Sequence, residues 1–517
     1  LDEEGRASTN LDGRSVPVEP LEVVVPGAEG PLLVLESGVV PHHGPFVPSL
    51  GEGGATAGWS TEGLTIRWAG YSPSRDLAVP ARLLSAGSAA DAAGIALEAT
   101  DPSRLWLLAD GEGAVDAIQP PCVPSRSPGA LGFDWGMTIG SAPFMVLPGN
   151  GQAEWVGCVD EGLLPGPPFE ADLHVVVSGA DTAGTTVENA PFRYVPYLGW
   201  WYEPGHRTGR LLEVIGSQGP RARVSAERAV DTLADERVHL PPELVSALGR
   251  AIVRAQEERA ASGTHRDLAR FVSEAGDRLE GLVDAHERLL SWTGAASTGL
   301  ADDEGEESVA ATVAAAWLSS LVDLALGDEL EELGVTAGDG ILWRALIRLL
   351  SEDVRLRTAD PVTGESAIFD DLRTASRPES RDDRLLASLD AALSWLDDRL
   401  GPDRSGWTWG RLHTLRLRGL PIVGLAEDAH TLTELAMPLS GGQWSVAGCD
   451  PGMEDMDFAC ESGTVARLAV ELTPWGPEAR IALAGSQDGD PNSSGLVPSL
   501  EAWSRGATHP LPCLLYT

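Results

Sequence analysis

Histidine, cysteine and paired acidic residues are the side chains of this sequence that could bind a metal or attack a substrate. Of the ten histidines, only His42 and His43 are adjacent. Adjacent residues on a strand point to opposite faces, which is poor geometry for two ligands of one metal. Asp455 and Asp457 could share one strand face and bind calcium, but in so acidic a chain a solvated loop is the commoner meaning of such a pair. The sequence therefore predicts no metal site.

The positions of the cysteines allow one local disulfide. Five cysteines are too few for a fold that is built on disulfides. Cys449 and Cys460 flank an acidic loop and could pair in an oxidising compartment, and two unpaired thiols are the alternative. The five cysteines are Cys122, Cys158, Cys449, Cys460 and Cys513.

Established catalytic motifs are absent from the 517 residues. The sequence contains no H-E-x-x-H, no G-x-S-x-G, no G-x-x-x-x-G-K-[ST] and no C-x-x-C. It also contains no lysine, which excludes a lysine nucleophile and the phosphate-binding lysine of a P-loop. Short motifs alone therefore identify no activity.

The charge balance narrows the range of partners. The chain has 37 basic and 77 acidic residues, for a net charge of -40. Nucleic-acid binding needs a basic surface, and anionic membranes repel an acidic one, so we expect neither partner. The longest apolar stretch, residues 309–326, contains Ser and Asp and predicts a buried helix rather than a membrane span. The first residues, Leu1 to Gly5, lack the features of a signal peptide, so we expect a processed product or a fragment.

The elements that would position a site change in character along the chain. Residues 1–215 alternate short apolar runs with Gly and Pro, which predicts strands. Residues 216–404 repeat apolar side chains at helical spacing, and residues 405–517 return to strand patterns. We therefore predict a first strand-rich part of the core, a helical region, and C-terminal strands that complete the core.

Particular runs define these elements. Strands are predicted at 21–25, 32–35, 64–68, 174–177, 465–472 and 480–484, and one helix at 76–99. Longer helices are predicted around Leu244 and Leu248, Val309 to Leu321, Ile341 to Leu350 and Leu385 to Leu396.

The C-terminal part of the chain resembles the penicillin acylase family. Residues 407–416, which include Trp409-Gly410-Arg411-Leu412-His413, are similar to a Trp-Gly-x-Leu-His stretch of that family. Residues 484–491 resemble its Gly-Gln-Ser-Gly segment, and a tryptophan-bearing helix and an HPLP-like tail follow at 500–503 and 509–512.

The N-terminal third resembles the same family in the same order. His43-Gly44-Pro45 is similar to its RHGPV turn, and residues 64–75 to its LRWTGLDPSR run. Residues 106–113 resemble a hairpin of the family, and residues 148–157 its PGWDGEYEWQG segment. The shared order over nearly the whole chain makes the resemblance specific.

This resemblance implies an α+β fold, the αββα sandwich of N-terminal-nucleophile hydrolases, here incomplete and with a large helical insertion. In the family, a precursor cleaves itself to expose Ser, Thr or Cys at the start of a long chain. That side chain attacks an amide, with its own α-amine as the base, and water releases the acid from an acyl-enzyme. An Asn side chain and a backbone N–H stabilise the oxyanion, each worth roughly 3–4 kcal/mol.

The nucleophile is not among these residues. The resemblance begins after the family's nucleophile, and Leu1 has no nucleophilic atom. We expect the short chain, the first segment of the long chain and most of the family's calcium ligands to lie outside these 517 residues, which alone would be inactive. No cofactor is expected for catalysis, and the resemblance allows a structural calcium ion in the intact protein.

Gly179 marks a second departure from the family pattern. Residues 175–180 align best with the strand that carries the oxyanion Asn, and Gly179 occupies the Asn position. Glycine offers a backbone N–H but no side-chain amide. The alternative is a slipped alignment in which Asn189 supplies the amide.

Arg207 matches an arginine that borders the family's active site and holds the Asn. The alternative for Arg207 is a surface salt bridge, since acids outnumber bases about twofold. His43 and His413 match motifs that are structural in the family, so neither is assigned a catalytic role.

The predicted function is an amidohydrolase that cleaves a small-molecule linear amide: the acyl side chain of a β-lactam, an acyl-homoserine lactone or an acyl-peptide. Kinship implies a periplasmic or secreted location. The alternative, motivated by Gly179, is a catalytically degenerate homologue that acts in binding or assembly. A third interpretation, an unrelated secreted acidic binding protein, requires the motif order to arise by chance.

Overall fold

The chain forms two compact units, Leu1–Tyr202 and Glu203–Thr517. A computed structural model describes residues 8–27, 30–46, 64–69, 74–100, 106–118, 122–131, 143, 146–160, 163, 169–170, 174–175, 205–217, 224–301, 304–334, 339–350, 367–374, 379–417, 433–451, 456–473, 475–485 and 493–511.

The first unit consists of antiparallel hairpins and two short helices. Its described strands pair as β1 with β2, as the meander β3-β4-β5, and as three further hairpins, β6–β7, β8–β9 and β10–β11. The strands are β1 Ser8–Leu11, β2 Arg14–Pro17, β3 Glu19–Gly27, β4 Gly30–Val40, β5 Gly44–Pro45, β6 Trp106–Ala109, β7 Val115–Ile118, β8 Pro124–Arg126, β9 Trp155–Cys158, β10 Phe169–Glu170 and β11 His174–Val175. The helices are α1 Ala78–Leu83 and α2 Ala89–Ala96.

Several predictions for this unit are confirmed. β3 and β4 contain the predicted runs 21–25 and 32–35, and β11 covers the described part of the run 174–177. The β6–β7 hairpin also forms, with Asp110 Oδ1 accepting the N–H groups of Glu112 and Ala114 at 3.0 Å each. Gly113 lies in the same turn at φ +91°, which favours glycine.

Two predictions for this unit are wrong. Residues 64–68 make only an isolated bridge between Thr65 and Phe46 instead of a strand, because the neighbouring β5 is two residues long and offers no ladder. The single helix predicted at 76–99 is two helices. It breaks before Ser88, whose side chain accepts the N–H of Asp91 and so starts α2.

The second unit begins with a helical core. Its helices are α3 His206–Gly216, α4 Ala226–Leu233, α5 Pro242–Ala260, α6 Ala269–Ala275, α7 Arg278–Ser291, α8 Gly305–Leu333, α9 Asp339–Leu350 and α10 Arg381–Leu400. The four helices predicted from apolar spacing correspond to α5, α8, α9 and α10 and are confirmed. Their apolar stripes bury Leu244, Leu248, Leu321 and Leu385 almost completely.

Helix α8 lies at the centre of this core. By length and composition it could cross a membrane, but 67% of its most apolar 18-residue window is buried inside the protein. Trp317 on α8 is fully buried and donates its indole N–H to Ser388 Oγ on α10 at 3.1 Å. The predicted buried helix is therefore confirmed.

The second unit ends in two small sheets. One has the order β13-β12-β15-β14, and the other is the antiparallel sheet β16-β17-β18. The strands are β12 Thr414–Leu417, β13 Thr433–Pro438, β14 Cys449–Pro451, β15 Cys460–Gly463, β16 Ala466–Thr473, β17 Gly476–Leu483 and β18 His509–Leu511. Both sheets pack with α11 Leu496–Ser504, through Leu415, Ala482 and Trp503. The strands predicted at 465–472 and 480–484 are confirmed as β16 and β17.

Each unit contains one disulfide among the described residues. Cys449 pairs with Cys460, which decides between the two alternatives that the sequence left open, and their Cα atoms are 5.4 Å apart. Cys122 pairs with Cys158 across the β8–β9 hairpin, with a Cα separation of 4.8 Å. Sequence analysis did not predict this second pair. The three-region division at 215/216 and 404/405 stays a prediction.

Candidate functional site

The predicted site residues are only partly within the described structure. Gly179, and Asn189 of the alternative alignment, lie outside the described residues. Arg207 is described, at the start of α3. Its surroundings are the part of the predicted site that the structure defines.

A glycine precedes α3, and the first residue of the helix is a buried histidine. Gly205 precedes the helix at φ +92°, a conformation that glycine adopts without strain. His206 is 4% exposed, and its ring stacks on His239 with centroids 4.2 Å apart. Its ring also lies 5.0 Å from that of Trp444. These contacts fix the first turn of α3 and with it the direction of Arg207.

Arg207 binds the segment between β13 and β14. Its Nε donates to the carbonyl oxygen of Ser445 at 3.0 Å, and its Nη2 lies 3.4 Å from Asp450 Oδ2. The side chain is 19% exposed and that of Asp450 31%. Arg207 therefore does form an ion pair, as the alternative held, but the pair is half-buried and also holds a backbone carbonyl.

Asp450 connects this arginine to a strained backbone. Its Oδ1 accepts the N–H of Trp444 at 3.0 Å, and Trp444 has φ +64°, unusual for a large residue. Burial raises the pKa of Asp450, while the positive charge of Arg207 and the Trp444 N–H act in the opposite direction. The carboxylate thus fixes the turn at Trp444, and Arg207 opposes the effect of burial on its pKa.

Two more arginines hold the same segment. Arg210, one turn further along α3, makes a bidentate pair with Asp235 at 3.0 and 2.6 Å, and the pairing raises the pKa of Arg210. The Asp235 carbonyl accepts the N–H of Ala447 at 2.8 Å. Arg467, 5% exposed, donates to the Ala447 carbonyl at 3.2 Å, and burial lowers its pKa.

This cluster can orient groups and supply positive charge, but it contains no evident nucleophile. Ser445 is fully buried, and its hydroxyl is engaged with Gly442 N at 3.1 Å and Gly442 O at 2.9 Å. Sequence analysis missed Asp450 and Trp444 as partners of Arg207. The available signal was local: Gly441-Gly442 and Cys449 bracket a segment that must turn tightly.

His413 is enclosed in the helical core. It is fully buried, its Nδ1–H donates to the Phe458 carbonyl at 2.8 Å, and its ring stacks on Trp409 at 4.9 Å. Burial lowers the pKa of His413 to about 4, against the weaker opposing effect of the Phe458 hydrogen bond. A neutral, inaccessible imidazole of this kind acts in packing.

His42 and His43 lie in a turn, not on a strand. Residues 41–43 follow β4 as a turn, and the two rings approach to 4.7 Å. The expectation that they diverge is therefore wrong, because turn residues do not alternate faces. Glu154 lies beside them, with Oε1 3.0 Å from His43 Nε2. Burial lowers the pKa of His43, and the negative charge of Glu154 opposes the shift.

The described residues do not provide a calcium site. Asp457 pairs with Arg416 at 2.6 Å, and Asp455 lies outside the described residues. Within the described ranges, one group of three ligand side chains comes together, His42, His43 and Glu154. Its two imidazoles do not suit calcium, which prefers oxygen ligands.

Comparison with known proteins identifies the relatives of this chain. The penicillin amidase family model matches residues 1–514. The acyl-homoserine lactone acylase QuiP of Pseudomonas putida is 27% identical over 373 residues, which cover 68% of this chain and 41% of the relative. QuiP of Pseudomonas fluorescens is 26% identical over 380 residues, covering 70% and 39%. The chain thus spans about two fifths of the length of these relatives.

A solved structure shows the fold. The thermostable penicillin G acylase from Alcaligenes faecalis, in an orthorhombic crystal form, superposes with a TM-score of 0.53 at 14% identity, covering 97% of this chain and 80% of that one. This likeness confirms the predicted fold class, the mixed helix-and-sheet fold of an N-terminal-nucleophile hydrolase. Together with the family match over residues 1–514, it shows that the chain belongs to the penicillin amidase family.

Proposed function

We propose that the intact protein hydrolyses a linear amide through an acyl-enzyme formed on an N-terminal Ser, Thr or Cys that is not among these 517 residues. The observation that carries the proposal is the family match over residues 1–514. The first-listed relatives are named acyl-homoserine lactone acylases, which favours an acyl-homoserine lactone over a β-lactam or an acyl-peptide as the substrate. No cofactor takes part in the proposed reaction.

The proposed partners are the parts of the protein that carry the reacting groups. These are a short chain and the first segment of the long chain, with the structural calcium ion that they would hold. We expect the 517 residues alone to be inactive, because the nucleophile of the proposed reaction is not among them. A periplasmic or secreted location agrees with the two disulfides of the described structure.

Arg207 has a positioning role in this proposal. It borders the active site and orients the group that donates to the oxyanion, while Ser445 and Asp450 hold its own position. Arg278 on α7 makes a bidentate pair with Asp390 outside this cluster and serves as the control.

The first experiment recovers the reading frame upstream of Leu1 and expresses the full-length protein. Release of homoserine lactone from short- and long-chain acyl-homoserine lactones is followed by mass spectrometry. We expect turnover that disappears when the Ser, Thr or Cys at the processing junction is replaced by Ala. An upstream stop codon without such a residue contradicts the proposal.

The second experiment separates the enzyme from its degenerate alternative, which rests on Gly179. Phenylacetyl and fatty-acyl anilides give a chromogenic readout with the full-length protein. Turnover that depends on the junction nucleophile excludes degeneracy, whereas a correctly processed protein without turnover supports it. In an active enzyme, Arg207→Lys is expected to lower kcat at least about tenfold with little change in KM, and Arg278→Lys to leave kcat near wild type.

A further inference from the structure

A cavity in the first unit has two imidazoles and a carboxylate in or beside its wall. Its volume is about 380 Å³, and His42, His43, Arg67 and Trp155 are among its lining residues. Glu154 directly precedes β9, whose first residue is Trp155. These residues all belong to the unit Leu1–Tyr202 and take no part in the Arg207 cluster.

The turn at residues 41–43 brings the possible ligands together. The N–H of His43 donates to the Val40 carbonyl at 3.0 Å, which closes the turn. Arg67 donates to the His42 carbonyl at 2.6 Å. The ligand atoms of His42, His43 and Glu154 all lie within 4.8 Å of one another. Three ligands from two separate hairpins therefore converge on one point.

Four of their side-chain atoms are buried without a hydrogen bond, although His43 Nε2 and Glu154 Oε1 contact each other as an ion pair. Among the described residues, neither ring nitrogen of His42, nor His43 Nε2, nor Glu154 Oε1 has a hydrogen-bond partner. The 3.0 Å approach of His43 Nε2 to Glu154 Oε1 does not have hydrogen-bond geometry. Buried polar atoms are rarely left unpaired, and one bound ion that accepts their lone pairs would satisfy all four.

We propose that His42, His43 and Glu154 bind a divalent transition metal, Zn²⁺ by preference, with one open coordination position toward the cavity. Two imidazoles and one carboxylate suit zinc, and three protein ligands plus water are typical of an open zinc site. Zinc bonds of about 2.0–2.2 Å require the ligand atoms to approach somewhat closer than they now lie, which small side-chain rotations supply.

Arg67 acts as the outer partner of the carboxylate. Its Nη1 lies 3.0 Å from Glu154 Oε2, which leaves Oε1 directed at His43. The guanidinium is itself fixed over the Trp155 ring at 4.9 Å. Groups that hold a metal ligand in this way orient it, but the positive charge of Arg67 also repels the metal. We therefore expect weaker binding than at a closed structural zinc site.

Zinc binding to the purified full-length protein tests the proposal. All variants carry Cys513→Ser, so that this remaining thiol cannot bind zinc. After removal of metal with EDTA and dialysis, Zn²⁺ is titrated by calorimetry. We expect one high-affinity site, weakened at least a hundredfold in His42→Ala and in His43→Ala, and about tenfold in Glu154→Gln. His509→Ala, at an exposed position, is the matched control and should bind like the parent.

Two outcomes would overturn the proposal. The His42→Ala, His43→Ala double variant could bind zinc as tightly as the parent protein, or the parent protein could bind no zinc. A second measurement, X-ray absorption at the zinc edge, uses only the parent protein and therefore does not require the variants to fold. Two imidazole nitrogens and a carboxylate oxygen are expected, and a sulfur-rich or all-oxygen shell contradicts the site. Neither readout requires amidase activity, so failure here leaves the proposed function untouched.

Discussion

The buried imidazole of His413 should make the stability of the second unit depend on pH. Burial lowers the pKa of His413 to about 4, from an ordinary value of 6.5. Between these values the unfolded chain takes up a proton that the folded chain does not, so this contribution to stability is complete above pH 6.5 and decreases as the pH falls toward 4. At 1.36 kcal/mol per pKa unit, the free energy of unfolding should fall by about 3 kcal/mol between pH 7 and pH 4.

His413→Asn isolates this contribution. The Asn amide can still donate to the Phe458 carbonyl, but it does not titrate. Loss of the ring that stacks on Trp409 should make the variant about 2–3 kcal/mol less stable at pH 7. Urea unfolding followed by tryptophan fluorescence at several pH values measures both proteins. The stability difference between them should shrink by about 3 kcal/mol from pH 7 to pH 4, because only the wild type has the His413 contribution to lose.

His509→Asn provides the control for this experiment. His509 is exposed, so its replacement should change the free energy of unfolding at pH 7 by no more than about 0.5 kcal/mol. Other groups titrate in the same range, but they contribute equally to the wild type and to the His413 variant. Parallel stability curves for these two proteins would refute the reasoning, since they would mean that His413 takes up its proton equally well in the folded and unfolded chains.

Three further predictions concern the same unit. Arg207→Met leaves the Asp450 carboxylate half-buried without its cation and should destabilise the protein by about 2 kcal/mol, with partial recovery in the Arg207→Met, Asp450→Asn double variant, both measured by urea unfolding. Burial and a neighbouring carboxylate raise the pKa of Glu329 to about 7, so a stability cost develops as the pH rises from about 4.5 to 7; Glu329→Gln should raise Tm by a few degrees at pH 8 and not at pH 4. Replacing Cys449 and Cys460 by Ser opens a short loop and should cost about 3 kcal/mol in chemical denaturation, and an unchanged midpoint would contradict the disulfide.

Periodicity predicted the long helices well because apolar residues repeat at helical spacing over several turns of each one. Helices α5, α8 and α10 each repeat apolar residues over several turns, and each buries that stripe in the core. Short apolar runs are less informative, since a strand also needs a partner. Residues 64–68 have the pattern of a strand, but the adjacent β5 is too short to pair with them, and Leu64 and Trp68 stay exposed.

The resemblance to the family predicted that Arg207 borders the active site, but it did not predict which residues Arg207 contacts. Asp450 is 243 residues away along the chain, and nothing in its local sequence links it to the arginine. The sequence also did not predict the turn at residues 41–43, which brings His42 and His43 close to Glu154. The rule that adjacent side chains point to opposite faces holds only on a strand.

The sequence by itself determined the family, the fold class, the acidic surface and the main helices of this protein. These properties depend on motif order, charge and periodicity, which can be read along one chain. Only the tertiary structure decided the pairing of Cys122 with Cys158, the ion pair of Arg207 and Asp450, and the meeting of His42, His43 and Glu154. Each of these joins residues that are distant in sequence, and such contacts are set by how whole elements pack rather than by the residues beside them.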